Sequence, residues 1–391
     1  MTSILHQLGH RYQWSLESIV EQQTGDGVII GPRYIERTKV QALQANIRQS
    51  AFFDPQFFLP QSSQGKLPTY TFFPQVIAGG FSTTEWNDDL QLRCSEACIL
   101  FQQECDFKYL IIPLRFFEGM PSDFIEKQER HFVNPFLETA MRLHVTKPIL
   151  LQLIVTDQMI REDQYRTDLL NWITSYPGIQ GIYLIYHVHN RRKQIDDIDF
   201  IIPLLGFCAS LKAAGMKVFV GYCNTEALLL VAAGVDAVTM GAYENLRMFN
   251  VTAFSEREDT VIRGPNARVY IPKLLQWVEY PYVGAIRRVV SNIDDYIEDN
   301  DHRVAMFSPT YNWHFTKPDP YMHYFVAFSR QLRRLCNLNG DARIDAILAE
   351  CTQAISEYDR LYQEGIVFDT DSAGTHISRW ITALNLWRRN R

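Results

Sequence analysis

Residues 217–246, KVFVGYCNTEALLLVAAGVDAVTMGAYENL, leave few architectures open. The stretch begins with a β-branched and aromatic run, Val218-Phe219-Val220-Gly221-Tyr222. A polar turn follows, Cys223-Asn224-Thr225-Glu226, in which Asn224 or Thr225 can cap a helix N-terminus. Residues 226–233 are almost wholly apolar and helix-forming, and Gly234 stands where a helix ends in a left-handed residue. A second apolar run, 235–241, begins at once. Strand, turn, buried helix, glycine and strand make a βαβ unit, which builds a parallel sheet. In parallel barrels the residues just past the C-terminal strand ends build the active site. In this unit those residues are Tyr222, Asn224, Tyr243 and Glu244.

The same unit recurs along the chain. Strands are predicted at 27–31 (GVIIG), 51–53 (AFF), 108–113 (KYLIIP), 149–155 (ILLQLIV), 181–186 (GIYLIY), 218–222 and 235–241, with helical sequence between them. Such alternation argues for an α/β fold, and seven strands plus one more for a (β/α)8 TIM-type barrel. For the eighth strand, 304–308 (VAMFS) is preferred to 268–271 (RVYI), because an acidic helical stretch at 292–300 precedes it as the repeat requires. Residues 1–26 read as a lead-in with a short helix near 16–23. The expected layout is a catalytic barrel over 1–317, with insertions at about 59–83 and 242–275, and an α-helical C-terminal extension over 318–391.

A chain of 391 residues suffices for one barrel and an appendage. Its 24 Phe, 19 Tyr and 7 Trp supply a large core, with aromatics to spare for a pocket around a flat or sugar-like ligand. The net charge of −6 excludes a basic nucleic-acid coat but leaves room for a local basic face. Arg330, Arg333 and Arg334, and the tail Arg388, Arg389 and Arg391, are either a solvated helix face or contacts to a phosphate backbone. The seven cysteines form no CxxC pair and lie mostly in apolar segments. That usage suits a reducing cytoplasm and argues against a structural zinc site or an iron–sulfur cluster. With neither a basic-then-apolar N-terminal leader nor a long uncharged apolar window, a cytoplasmic protein without membrane association is expected.

The strand ends supply the candidate site: Arg33 and Tyr34; Asp54, Gln56 and Phe57; Arg115; Gln152 or Asp157; Tyr186 and His187; Tyr222 and Asn224; Tyr243 and Glu244. The preferred eighth strand would add Tyr311, Trp313 and His314. No histidine pair at the usual metal spacing stands out, so neither a catalytic metal nor another cofactor is expected. Asp54, within FFDPQFF, is the leading candidate for general acid or base, because apolar surroundings disfavour the charged carboxylate. Its other reading is a turn aspartate before proline. Glu244 is either a second catalytic carboxylate or a solvated residue at a helix start. Gln152 interrupts an apolar strand, and a buried amide needs partners. Asp236 reads as structural, at the far end of its strand, and Asp157 and Glu118 as loop acids. Lys273, in IPKLLQW, is either a Schiff-base lysine or one that snorkels to the surface. There is no P-loop, GxGxxG or G-x-S-x-G motif.

Three motifs in order, FFDPQFF with Asp54, LLQLIV with Gln152, and GYCNTEALLLVAAGVDAVT, resemble the tRNA-guanine transglycosylase family and its DNA-directed relatives. The likeness spans residues 27–246. It implies a barrel enzyme acting on an N-glycosidic bond, with Asp54 at the reacting centre. Ungapped matching puts Thr239 where that family has its nucleophilic aspartate, and the family's C-terminal zinc cluster of Cys and His is absent. The resemblance therefore implies hydrolysis before base exchange. It is similar in this to phage-defence DNA glycosylases that remove modified bases. The implied partner is nucleic acid, DNA in preference to RNA. A base flipped from a duplex would stack on Tyr34, Phe57, Phe58, Tyr186, Tyr222 and Tyr243 and be read by Arg115, Gln152 and Asn224. The alternatives are a base-exchanging tRNA or DNA transglycosylase and a small-molecule barrel hydrolase or lyase.

Overall fold

Eight parallel strands follow one another round a closed barrel in the order in which the chain makes them. The computed structural model describes residues 2–62, 65–73, 75–77, 80–82, 87–189, 192–255 and 264–391. The strands are β1 (Ser3–Gln7), β2 (Gly27–Ile30), β3 (Phe52–Phe53), β4 (Leu110–Ile112), β5 (Ile149–Thr156), β6 (Ile179–His187), β7 (Lys217–Val220) and β8 (Ala237–Met240). β1 pairs with β8 from Ser3↔Ala237 to His6↔Met240, and with β2 on its other edge. The barrel closes between β3 and β4, where the Lys108 N–H donates to the Ala51 carbonyl at 3.0 Å. The expected (β/α)8 barrel is the fold of this chain, and the seven strands read from the sequence are seven of its eight.

The eighth is β1, in the segment read as a lead-in. Ser3-Ile4-Leu5-His6-Gln7 carries three polar residues, Ser3, His6 and Gln7, which hide a strand whose faces are both buried. His6 points to the helix layer, where it meets Thr24 at 3.1 Å and packs on Phe325. Gln7 points into the barrel and accepts from the Tyr183 hydroxyl at 3.3 Å. Neither expected eighth strand is in the barrel. Residues 304–308 fall on the helix Asp301–Met306 and the turn after it. Residues 268–271 form β9 (Arg268–Ile271), which pairs antiparallel with β10 (Gln276–Glu279) outside the barrel.

The helix that completes the repeat after β8 is Asp319–Cys336, which packs against the helices Tyr12–Gln22 and Ala227–Ala232. The chain between β8 and that helix is thus an excursion. The boundary expected at 317 cuts through a second apolar core, in which Val269, Ile271, Val283 and Met306 pack with Leu361 and Ile366. Of the expected insertion at 59–83, residues 63–64, 74, 78–79 and 83 lie outside the described residues, as do 256–263 of the one at 242–275. Among the described residues no helix is long and apolar enough to cross a membrane.

Alternation along the strands sorts the side chains into two sets. Ile4, Val28, Ile30, Phe53, Leu151, Leu153, Leu184, Val218 and Val238 face the helices. Leu5, Ile29, Phe52, Ile111, Leu150, Ile154, Tyr183, Ile185, Phe219 and Ala237 fill the barrel.

Candidate active site inside the barrel mouth

The inward pattern of β3 continues one step beyond the strand. Phe52 faces in, Phe53 faces out, and Asp54 faces in again. Its carboxylate is fully buried. Oδ1 accepts from Gln152 Nε2 at 2.6 Å and from the Gln56 backbone N–H at 3.1 Å. Oδ2 has no hydrogen-bond partner among the described residues. Burial raises the Asp54 pKa to about 7, against the lowering effect of the bonds from Gln152 and Gln56. Asp54 and Glu226 are the two buried carboxylates among the described residues. Glu226 lies on the helix side, where it accepts from the Tyr186 hydroxyl at 2.7 Å.

Gln152 sits on the inward face of β5 between Leu150 and Ile154. Its Oε1 accepts from the Leu114 N–H at 3.2 Å while its Nε2 holds Asp54. One buried amide thus spends both ends at the site, as the sequence reading required. Gln56 does the same: Oε1 accepts from the Arg33 N–H at 3.1 Å, and Nε2 donates to the Tyr222 hydroxyl at 3.3 Å. Gln56 and Tyr222 both hold left-handed backbone conformations, with φ of 58° and 55°. Such non-glycine conformations cost energy and are kept only where surrounding contacts over-determine them. Two glycines make room for the cluster. A Cβ at Gly31 would sit 2.3 Å from the Gln56 amide nitrogen, and one at Gly221 would sit 2.4 Å from the Tyr183 hydroxyl.

Aromatic rings cover the acid. Tyr222 meets Phe249 at 5.4 Å between centroids, and Phe58 meets Phe249 and Phe254 at 5.0 and 4.7 Å. Arg33 is buried at the rim, with its guanidinium 5.0 Å from the Tyr34 ring and 4.9 Å from that of Phe254. Asn245 donates to the Tyr34 hydroxyl at 2.8 Å. Asp54, Gln56, Gln152 and Tyr222 thus form one buried hydrogen-bonded cluster at the strand ends, with Arg33, Tyr34 and a lid of phenylalanines packed beside it.

Other expected site residues lie elsewhere. Phe57 packs outside the barrel against Phe72 and Phe73, because the turn at Gln56 throws it to the opposite side from Phe58. Tyr186 faces the helices, one residue out of phase with the inward Tyr183 and Ile185. Arg115 lies over the Phe132 ring at 5.4 Å, its backbone clamped by the Gln128 amide, and burial lowers its pKa to about 10. The Asn224 amide donates to the Lys193 carbonyl at 2.9 Å and Thr225 Oγ1 to Gln194 at 2.7 Å. Both residues tie down the loop after β6, and neither makes the helix cap expected of it. Tyr243 packs between Trp14 and Tyr321. Glu244 is ion-paired with Lys193 at 3.0 Å and takes no part in the buried cluster around Asp54. Tyr311 and Trp313 pack in the outer core, and His314 bonds locally to Thr316. Lys273 pairs with Glu357 at 2.9 Å in that outer region, which removes it as a Schiff-base candidate in the barrel.

The arginine run is also away from the mouth. Arg333 pairs with Asp26, just before β2, at the N-terminal end of the barrel. Arg330 pairs with Glu298 and Arg334 with Glu350. A phosphate backbone held by these three would lie at the end opposite Asp54. Asp236, read as structural, bonds Lys212, Lys217 and the Val218 N–H. Thr239 faces into the barrel wall and accepts from the Cys223 N–H at 3.1 Å.

Tyr183 and Gln7 belong to the interior and were not among the expected site residues. The period-two pattern of β6 could have found Tyr183, four residues before His187. A further group gathers at the rim from the ends of β4, β5 and β6. Ligand atoms of Glu118, His187 and His189 lie within 4.8 Å of one another. His189 bridges two carboxylates, with Nδ1 2.5 Å from Asp157 and Nε2 2.5 Å from Glu118, and these partners raise its pKa. The expectation of no metal came from a lack of paired histidines, yet His187-Val188-His189 is a pair at the spacing that puts two side chains on one face of a strand.

No protein-family model matches the chain, and no curated protein sequence matches it. Among solved structures it is similar to a protein described as a putative phosphonomutase from Burkholderia cenocepacia J2315. That likeness has 11% identity over 63% of this chain and 89% of the other, with a TM-score of 0.35.

Proposed function

We propose that the chain is a barrel enzyme that transforms a small molecule, with Asp54 as its proton-transferring group. One observation carries this reading: the Asp54 carboxylate faces into the barrel, fully buried, with one oxygen held by Gln152 and the other without a partner among the described residues. A carboxyl group that titrates near pH 7 is present in both forms at neutrality, so it can both give and take a proton. Gln152 fixes Oδ1 and leaves Oδ2 for the substrate. The phenylalanine lid keeps bulk water from the acid, which strengthens each polar contact beneath it. The chemistry that fits a single acid–base group is hydrolysis or elimination. Glu226 is turned to the helices, so no second buried carboxylate among the described residues supports a two-acid glycosidase.

The second reading is removal of a nucleobase, modified or not, from DNA by cleavage of its N-glycosidic bond, in the manner of phage-defence glycosylases. Base exchange is the less favoured form of this reading. The hydrogen bond between Asp54 and Gln152 supports it, because it joins the two residues that carry the likeness to the transglycosylase family. Tyr222 and the rings above it would suit a flat base. The position of Arg330, Arg333 and Arg334 favours the small molecule.

The test is one panel assayed with the wild-type chain and with Asp54→Asn. It contains nucleosides, aryl glycosides and other small esters and amides, together with phage genomic DNAs that differ in base modification. Turnover of a small molecule, lost in the variant, with no abasic sites in any DNA, supports the first reading. Abasic sites that depend on Asp54 support the second. Turnover undiminished in Asp54→Asn overturns both.

A further inference from the structure

The rim cluster of Glu118, His187 and His189 is built as a metal centre, and we propose that it binds one divalent transition metal ion of the zinc type. The proposal does not rest on the role given to Asp54.

Three adjacent strands supply the cluster. Glu118 lies in the loop after β4, Asp157 directly follows β5, and His187 ends β6, with His189 two residues on. These are C-terminal strand ends, where barrels keep their reactive groups. The donor set is two imidazoles and one carboxylate, which suits zinc and its first-row neighbours and leaves a coordination position open. In a tetrahedral site with bonds near 2.0–2.2 Å, neighbouring ligand atoms stand about 3.3 Å apart. The three ligand atoms are already within 4.8 Å of one another, so side-chain shifts of roughly 1 Å complete the set.

The surroundings match what a ligand histidine needs. A metal-bound imidazole usually gives its second nitrogen to a carboxylate or a carbonyl, which fixes the ring. His189 does this, with Nδ1 on Asp157 at 2.5 Å, so Nε2 is the nitrogen turned to Glu118 and the ion. An entering ion takes the place of the proton between Nε2 and Glu118, moves those two atoms apart and releases the proton to solvent. The second ring is held as well. His187 has its Nδ1 buried with no hydrogen-bond partner among the described residues, and Phe116 and Phe249 pack on it at 5.4 and 6.2 Å. A buried imidazole nitrogen with nothing to bond costs stability that a metal would return. Asp157 is also paired with Arg161 at 3.3 Å, which keeps its carboxylate in place while His189 turns to the ion.

The centre is one ring away from Asp54, because Phe249 touches both His187 and Tyr222. A substrate drawn to the open coordination position therefore lies against the lid that covers the acid.

The test is metal binding by the full chain after chelator treatment. Zinc is titrated by calorimetry, and cobalt(II) by its visible ligand-field bands, which report tetrahedral nitrogen and oxygen ligation. The expected result is one ion per chain with a Kd tighter than about 1 μM. Glu118→Gln and His187→Gln should weaken binding by more than about 100-fold, and Asp157→Asn by roughly 10–100-fold. Glu118 is exposed, so its variant keeps the fold, and circular dichroism checks the others. Failure of the wild-type chain to bind either ion, or binding that Glu118→Gln and His187→Gln leave unchanged, overturns the proposal. That outcome leaves a histidine shared by two carboxylates and says nothing against Asp54.

Discussion

Asp54 shows how a single side chain can act against the stability of its own fold. Its pKa is about 7 in the native barrel, against about 3.9 in an unfolded chain. Below pH 4 both states hold the proton and the group contributes nothing. As pH rises from 4 to 7 the unfolded chain loses the proton while the native state keeps it, so stability falls. Above pH 7 the loss is complete, at up to about 4 kcal/mol for some three pK units. An asparagine side chain in its place would keep an oxygen for Gln152 and carry no charge. Asp54→Asn is therefore expected to match the wild type in stability at pH 4, to exceed it increasingly up to about pH 7 and by a constant margin above that, measured by urea unfolding from pH 4 to 8. The same substitution should lower turnover by about 10²–10⁴-fold. Gln152 acts on this balance. Its hydrogen bond lowers the Asp54 pKa, so Gln152→Leu should move the acid's ionisation, read from a pH–rate profile, to higher pH. An unmoved profile would separate Gln152 from the acid.

Among the elements, β1 is the one whose worth its composition hides most. Five residues fill the gap between β8 and β2 and supply ladder bonds on both edges. Their two buried polar members are both used: His6 is buried against Thr24 and Phe325, where burial lowers its pKa to about 3, and Gln7 holds Tyr183. Deleting residues 2–8 opens the barrel, and the expected result is a chain without cooperative unfolding, read by circular dichroism on heating. A deletion that left a sharp transition would show that the barrel closes without this strand. The segment 241–255 has the opposite character. It has little regular structure, yet Phe249 and Phe254 from it roof the acid. Arg247 anchors it by donating to the Gly241 and Ala242 carbonyls while it lies 3.9 Å from the Trp277 ring of β10.

For the molecule as a whole, the C-terminal helices are part of the barrel's support. Helix Thr375–Asn390 packs on Ile198–Ala213, with the Trp380 indole donating to the Ile195 carbonyl at 2.7 Å. Arg343 ties three layers together. Its guanidinium donates to the Val231 carbonyl at 2.7 Å and to the carbonyls of Leu335, Cys336 and Leu338 at the end of helix Asp319–Cys336. A cation there also meets the negative end of the helix dipole. Arg343→Met would keep the aliphatic packing and leave several buried carbonyls without a donor. The expected cost is about 2–4 kcal/mol, measured as a shift in the urea midpoint at constant slope. A loss under about 0.5 kcal/mol, the effect of an ordinary surface change, would show the extension to be loosely attached.

Seven strands, the parallel order and the buried setting of Asp54 were legible in the chain because each rests on local chemistry. Apolar runs of strand length, a helix stop at Gly234 and the alternation of Phe52, Phe53 and Asp54 are short-range signals. Gln152 was legible for a related reason, since an amide amid Leu150, Leu151, Leu153 and Ile154 must find partners. The strand β1, the aromatic lid and the pairing of Glu118 with His189 were not, because their partners lie far along the chain. Whether Tyr186 or Tyr183 faces inward, and whether Glu244 meets Asp54 or Lys193, depends on strand phase and loop path. Those follow from closing the barrel, which sets every strand's register against both neighbours at once.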